Sequence, residues 1–274
     1  MEAGERKNRK ERVTVKIALC QNRIVWEEKE QNLKRADRYL ADAGKAGAGL
    51  VFFPEMSFTG FSMNTGRTAE SVRETVETVR ELARKHGIAV GFGWVEKTVD
   101  KARNHYTVVD NCGNILSDYV KIHPFSYSKE DQYFEAGQRL SVFSMGKLRI
   151  GTLICYDLRF PELFQVLAEQ CDLIVVAANW PGSRREHWKC LLQARAIECQ
   201  AYLAGVNCCK EQEKLIYTGD SCVFSPDGAN MTGFREEEGL IVTEIPENTE
   251  TFRKQFPTRQ DRNWPLYRKL YREI

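Results

Sequence analysis

Apolar positions along this chain recur with two periods, and the switches between them mark out its elements. VTVKIALC at 13–20 alternates and then runs apolar, which predicts a strand. Leu33, Ala36, Tyr39, Leu40 and Ala43 follow at helical spacing, so 28–46 is expected to be a helix ending in a Gly/Ala stretch. LVFF (50–53) is a short, fully apolar strand stopped by Pro54, and 68–86 predicts a helix closed by Gly87. IAVGFGWV (88–95) and HYTVVD (105–110) read as strands, and the turn NCGN (111–114) joins HYTVVD to ILSDYV as a hairpin.

The second half repeats the alternation. RIGTLIC (149–155) is a buried-type strand, PELFQVLAEQ (161–170) a helix with proline in its first turn, and DLIVVAANW (172–180) another strand. Residues 186–201 form a strong helix, with apolar Trp188, Leu191 and Leu192 serving the core, an interface or both. YLAGVN and SCVFS are strands, SPDG is a turn, and a charged, aromatic-rich tail closes the chain. Strands and helices in this order give an α/β class with a mixed sheet, or two sheets, and helices outside. Neither a linker nor a repeat divides the chain, so one domain over 13–274 is expected after a flexible, solvated arm at 1–12.

Composition narrows the function classes. Forty lysines and arginines against 38 aspartates and glutamates leave a formal charge of +2, too little excess for non-specific nucleic-acid binding. No apolar run approaches the ~18 residues of a membrane span. The nine cysteines are an odd number, lack any Cys-x-x-Cys spacing and are too sparse for a disulfide scaffold. Basic residues near the N-terminus precede no apolar stretch, so a secretory signal is not indicated. Together these features point to a reducing compartment, the cytoplasm.

Three strand ends carry chemically capable residues. Glu55 follows LVFF and Pro54 and precedes an aromatic-rich loop, surroundings that raise a carboxyl pKa and suit a general base or acid; the alternative is a loop glutamate reaching solvent. Lys121 ends a strand in DYVKIHPF, where it could stabilise negative charge on an oxygen or simply sit in water. Cys155 ends a strand in GTLICYDLRFPEL, six residues before the proline that opens a helix. That placement suits an activated nucleophile, although most free cysteines are buried structural residues.

Taken together, FPE, K-I-H and CYDLRFPE resemble the nitrilase superfamily of carbon–nitrogen hydrolases, over most of the chain from IALCQ to FPTRQDRNWPLY. The resemblance implies a four-layer α-β-β-α sandwich, with two mixed sheets flanked by helices. It implies a Glu55–Lys121–Cys155 triad that cleaves a non-peptide carbon–nitrogen bond of a small amide through a thioester, and a homodimer or larger oligomer. It also implies a second active-site glutamate at Glu130, favoured over nearby Glu135 by the frame of KEDQYFEAG. The backbone N–H of Tyr156 would share the oxyanion with Lys121. Neither cofactor nor metal is called for: the nucleophile is a thiolate, and the chain has no HExxH and no Cys/His ligand cluster.

NWPGSRREHWKCLLQARAIECQ resembles one branch of that superfamily, the bacterial ω-amidase-like proteins. Such an enzyme binds the carboxylate of an α-keto acid at the end remote from the amide, and guanidinium is the natural bidentate partner. Arg184 is the branch-specific candidate. Arg159 is a second, with a structural ion pair to Asp157 or Glu162 as its alternative. Trp180 is expected in the pocket wall, and His187 either lines the site or only opens a helix. The branch favours an ω-amidase over a nitrilase, an aliphatic amidase or an N-carbamoyl hydrolase, and the three motif residues argue against a non-catalytic binding protein. In one respect the chain departs from the pattern: an arginine or similar polar residue usually follows G-[VC]-N, where Cys208 and Cys209 stand here.

Overall fold

The computed structural model describes residues 14–247 and 249–273; the arm expected over 1–12 lies outside them. The first half of the chain runs β1 (Thr14–Gln21), α1 (Lys29–Lys45), β2 (Leu50–Phe52), α2 (Thr65–Thr68), α3 (Glu74–His86), β3 (Ala89–Lys97), β4 (Ala102–Val109), β5 (Ile115–Val120) and α4 (Glu130–Tyr133). The second half runs β6 (Val142–Met145), β7 (Leu148–Ile154), α5 (Pro161–Ala168), β8 (Leu173–Ala178), α6 (Arg185–Cys199), β9 (Tyr202–Asn207), β10 (Cys209–Gln212), β11 (Leu215–Thr218), β12 (Cys222–Phe224), β13 (Gly239–Pro246), α7 (Glu250–Gln255) and α8 (Trp264–Arg272).

These strands form two mixed sheets and a separate hairpin. One sheet has the order β13-β1-β2-β3-β4-β5, the other β12-β9-β8-β7-β6, and β10 pairs with β11. In each sheet the central three strands are parallel and the outer neighbours antiparallel. A parallel strand needs a crossover, and helices α1, α3, α5 and α6 occupy those crossovers. Successive β1 residues point to opposite faces, so Ile17 and Leu19 join the core shared with the second sheet while Ala18 and Cys20 meet α1 and α3. Both faces of the central strands are therefore buried, which is why their sequences run apolar instead of alternating. The resulting layers are helix, sheet, sheet, helix.

Two expected elements differ in detail. The helix expected over 68–86 is helical only from Glu74, as α3, and shares just Thr68 with α2. Glu70 is committed to β3 through backbone bonds with Val95 and Lys97, and its carboxylate accepts from the Thr75 N–H at 2.9 Å. A residue that pairs with a strand cannot also carry a helix through itself, so α3 restarts behind it. The strand expected at 105–110 begins instead at Ala102, because the polar residues Arg103 and Asn104 disguise its first turn of pleat. Trp188 and Leu192 on α6 are buried within the subunit against β9, so those two serve the core.

One close approach sets the position of the loop after β2. A Cβ on Gly93 would fall against the Met56 amide and within 2.9 Å of the Glu55 carbonyl carbon. Ser57 completes the seam, donating its N–H to Gly93 O at 3.0 Å while its hydroxyl accepts from Gly93 N–H at 2.8 Å. Backbone cannot yield as a side-chain tip can, so Gly93→Ala is expected to cost roughly 1–3 kcal/mol of stability. Urea denaturation would measure that cost, and activity should fall further than stability because the displaced residue is Glu55.

Candidate active site

The ends of strands from both sheets converge on one buried charge cluster. Glu55 lies three residues beyond β2, its loop anchored by the Tyr106 hydroxyl, which donates to Phe53 O at 2.8 Å. Lys121 directly follows β5, and its N–H donates to Asn104 O on β4 at 2.9 Å. Glu130 opens α4, where its carboxylate accepts from the Phe125 N–H at 2.6 Å. The Lys121 Nζ sits 2.8 Å from Glu55 Oε1 and 2.9 Å from Glu130 Oε2. Asn104 Nδ2 donates to both carboxylates, at 2.9 and 3.2 Å.

Burial decides the electrostatics of this cluster. Glu55 and Glu130 are 0% exposed and Lys121 is 1% exposed. Removal from water works to depress the Lys121 ammonium, but Glu130 and Glu55 outweigh it and hold the lysine charged, well above its ordinary range. Burial pushes the Glu130 carboxyl up; Lys121 opposes the rise and the Glu55 charge adds to it. One ammonium thus serves two carboxylates.

Cys155 faces this cluster from the second sheet. It is the first residue past β7, opening a 3₁₀ turn over Cys155–Arg159 with a left-handed φ of 45°. A non-glycine residue in that region is strained and persists only where its surroundings hold it. Here the holder is Asp157, which is 0% exposed. Its carboxylate accepts from the Ile154 N–H at 3.0 Å and the Tyr119 hydroxyl at 2.8 Å. It also accepts from the His123 N–H at 3.1 Å, with the His123 ring 2.9 Å away. The turn carrying Cys155 is thereby tied to the strand and loop that carry Lys121. Burial first, and then the Glu55 charge, push the Cys155 thiol well above its usual value, with Lys121 opposing. The thiol is therefore neutral at rest, and to act as a nucleophile it would need a base.

Asn179, just past β8, touches both reactive groups. Its N–H donates to Glu55 Oε2 at 3.0 Å and its Nδ2 to the Glu55 carbonyl at 2.6 Å. Its own carbonyl lies 3.9 Å from Cys155 Sγ.

A cavity of about 460 Å³ opens over Cys155 and Lys121, lined also by Tyr156, Arg159, Trp180 and Arg184, with Tyr217 of β11 in its wall. Arg159 lies 4.7 Å over the Trp180 ring and 3.4 Å from the His187 Nδ1. Arg184 lies 5.1 Å over the Tyr127 ring. Among the described residues neither guanidinium forms an ion pair with a carboxylate; burial and then the Arg184 charge lower the Arg159 basicity. His187 touches Arg159 but does not line the cavity.

The carbon-nitrogen hydrolase family model matches residues 16–254. This chain belongs to that family. The 2-oxoglutaramate amidase of Bacillus subtilis is 30% identical over 257 residues, covering 92% of this chain and 98% of its own. The omega-amidase YafV of Escherichia coli K12 is 32% identical over 250 residues, covering 90% and 96%. A mutant amidase from Nesterenkonia sp. AN1, solved with the acetamide moiety of fluoroacetamide added covalently at its active-site cysteine, superposes with a TM-score of 0.84. That structure is 27% identical, over 93% of this chain and 96% of its own.

In this carbon–nitrogen hydrolase, Glu55, Lys121, Glu130 and Cys155 stand together, and Tyr156, Arg159, Trp180 and Arg184 stand around the same cavity. Glu135 lies apart, paired with Arg103 at 2.8 Å. The ion pair weighed for Arg159 is absent: Asp157 braces the Cys155 turn instead, and Glu162 accepts from Tyr271. Asn104, Asp157 and Asn179 are functional-site residues that periodicity does not flag, since each is a single polar residue at or near a strand. The described residues contain no group of three or more His, Cys, Asp or Glu able to hold a metal ion, and no helix long and apolar enough to cross a membrane.

Because one ammonium compensates two buried carboxylates, Lys121→Met should destabilise the fold by about 3–5 kcal/mol. Denaturant melts at neutral pH would show it, and adding Glu130→Gln to the same chain should restore part of the loss.

Proposed function

We propose that this hydrolase is an ω-amidase, cleaving the terminal amide of a short α-keto dicarboxylic acid monoamide to the acid and ammonia. The observation that carries the reading is the pair of guanidiniums, Arg159 and Arg184, held without carboxylate partners among the described residues in the cavity above Cys155. Two like charges side by side call for an anion, and a planar fork suits a carboxylate. The names of the relatives that span nearly the whole chain support the same reading.

The chemistry follows from the cluster. Glu55 accepts the Cys155 proton as the sulfur attacks the amide carbon, which suits a thiol held neutral by burial. The Lys121 ammonium and the Tyr156 N–H stabilise the oxyanion, and Glu130 fixes the lysine for that task. When the tetrahedral intermediate collapses, its C–N bond breaks, and the nitrogen takes the proton from Glu55 and leaves as ammonia. Water then gives a proton back to Glu55 and its oxygen attacks the thioester, releasing the acid and re-forming the thiol. Trp180 walls the cavity, and His187 orients Arg159 from behind. A homodimer or larger oligomer stays within the proposal as what the family resemblance implies, and the cytoplasmic setting as what the cysteine pattern and the N-terminal residues imply; none of these steps requires them.

Ammonia release from α-keto ω-amides, neutral aliphatic amides, nitriles and N-carbamoyl amino acids would test the assignment. The α-keto ω-amides should give the highest kcat/KM. Arg184→Met and Arg159→Met should each lower it roughly 10- to 150-fold for carboxylate-bearing amides, mostly through KM, and leave neutral amides nearly unchanged. Faster turnover of nitriles or neutral amides than of any ω-amide would overturn the reading.

A further inference from the structure

Cys208 stands where the sequence pattern leads one to expect a larger polar residue, and the structure buries it completely, directly behind Asn179. The last rung between β8 and β9 pairs Ala178 with Asn207, so Asn179 lies beyond the ladder. Side chains must hold it from there. Asn207 takes the next residue, accepting from the Trp180 N–H at 2.7 Å and donating to the Trp180 carbonyl at 3.0 Å. Cys208 Sγ lies 3.0 Å from Asn179 Oδ1, against 3.9 Å from Asn207 Oδ1. A thiol has one proton to give, and the nearer acceptor is the Asn179 amide.

We propose that Cys208 is a positioning residue for the thiol-attack step: its S–H fixes the Asn179 amide with oxygen toward Cys208 and nitrogen toward Glu55. The proposal rests on Glu55 and Cys155 acting as base and nucleophile. A flipped amide would turn its oxygen toward the Glu55 carbonyl, which now receives the Nδ2 hydrogen bond at 2.6 Å, and acceptor against acceptor would push the loop away. The Asn179 backbone would move with it, and that backbone reaches both Glu55 Oε2 and the Cys155 sulfur. Burial pushes the Cys208 thiol well above its ordinary value, so it stays protonated and able to donate at neutral pH. Gln212 is packed against the same sulfur, and its side-chain hydrogen bond there works against burial without outweighing it. Cys208 does not line the cavity over Cys155 and acts through Asn179.

The test compares Cys208→Ser, which keeps a donor, with Cys208→Val and Cys208→Ala, which do not. Two rates are read: ω-amide hydrolysis, and alkylation of the Cys155 peptide by iodoacetamide followed by mass spectrometry. The second needs no turnover, so a wrong substrate assignment leaves this test intact. The donor-less variants should lose roughly 3- to 10-fold in kcat and in alkylation rate, with KM and Tm nearly unchanged, and the serine variant should recover most of both. In an Asn179→Ala background Cys208→Ala should have no further effect. Should the alanine variant fail to fold, serine against valine carries the comparison. Equal rates in the serine and valine variants, or losses that track Tm, would reduce Cys208 to a space-filling residue and overturn the proposal.

Discussion

One buried ammonium shared between two buried carboxylates is the constraint on which this active site depends. Glu55, Lys121 and Glu130 are essentially removed from water. Such a cluster is expensive to bury unless its partners are close and the remaining oxygens are hydrogen-bonded. The distances of 2.8 and 2.9 Å, with donors from Asn104, Asn179 and the Phe125 amide, meet that condition. The same arrangement leaves the lysine permanently charged and places a base beside a thiol that burial keeps neutral. Under the proposed function, the fold thus holds a base, an ammonium and a thiol ready for acyl transfer to an electrophilic carbon.

The two-sheet architecture explains how residues so distant in sequence meet. Glu55 and Lys121 follow strands of the first sheet, and Cys155 and Asn179 follow strands of the second. Each sheet end alone would be a loop cluster with a few exposed polar groups. Asp157 and Asn179 join them, the first tying the Cys155 turn to Tyr119 and His123, the second bonding across to the Glu55 loop. The left-handed backbone at Cys155 is sustained by that bracing. Gly93 performs the corresponding service on the other side by letting the Glu55 loop lie flat on β3.

Much of this was legible in the sequence, for identifiable reasons. Glu55, Lys121 and Cys155 each follow or end a strand, but taken singly each also reads as a solvent-facing or structural residue, and it is the family resemblance that sets the three together. β9 coincides with YLAGVN, a short run buried from Leu203 onward. Asn104, by contrast, sits inside a strand, where a polar residue ordinarily faces water, and nothing in the local pattern tells that its amide is turned onto two carboxylates. Asp157 reads as a partner for Arg159 two residues away, yet the 3₁₀ turn points the two in different directions, leaving Arg159 on Trp180. The break before α3 was equally hidden, since it arises from Glu70 pairing with a strand more than twenty residues later. Long-range pairings of this kind override a local helical period.

The most direct test of the account is to trap the intermediate. The hydrolase would be mixed with an α-keto ω-amide, quenched in acid within the first turnovers, digested and examined by mass spectrometry. The account predicts a substrate-derived acyl group on the peptide carrying Cys155, formed as ammonia appears and lost as the acid is released. Turnover with that peptide unmodified, or an acyl group carried by another residue, would contradict it.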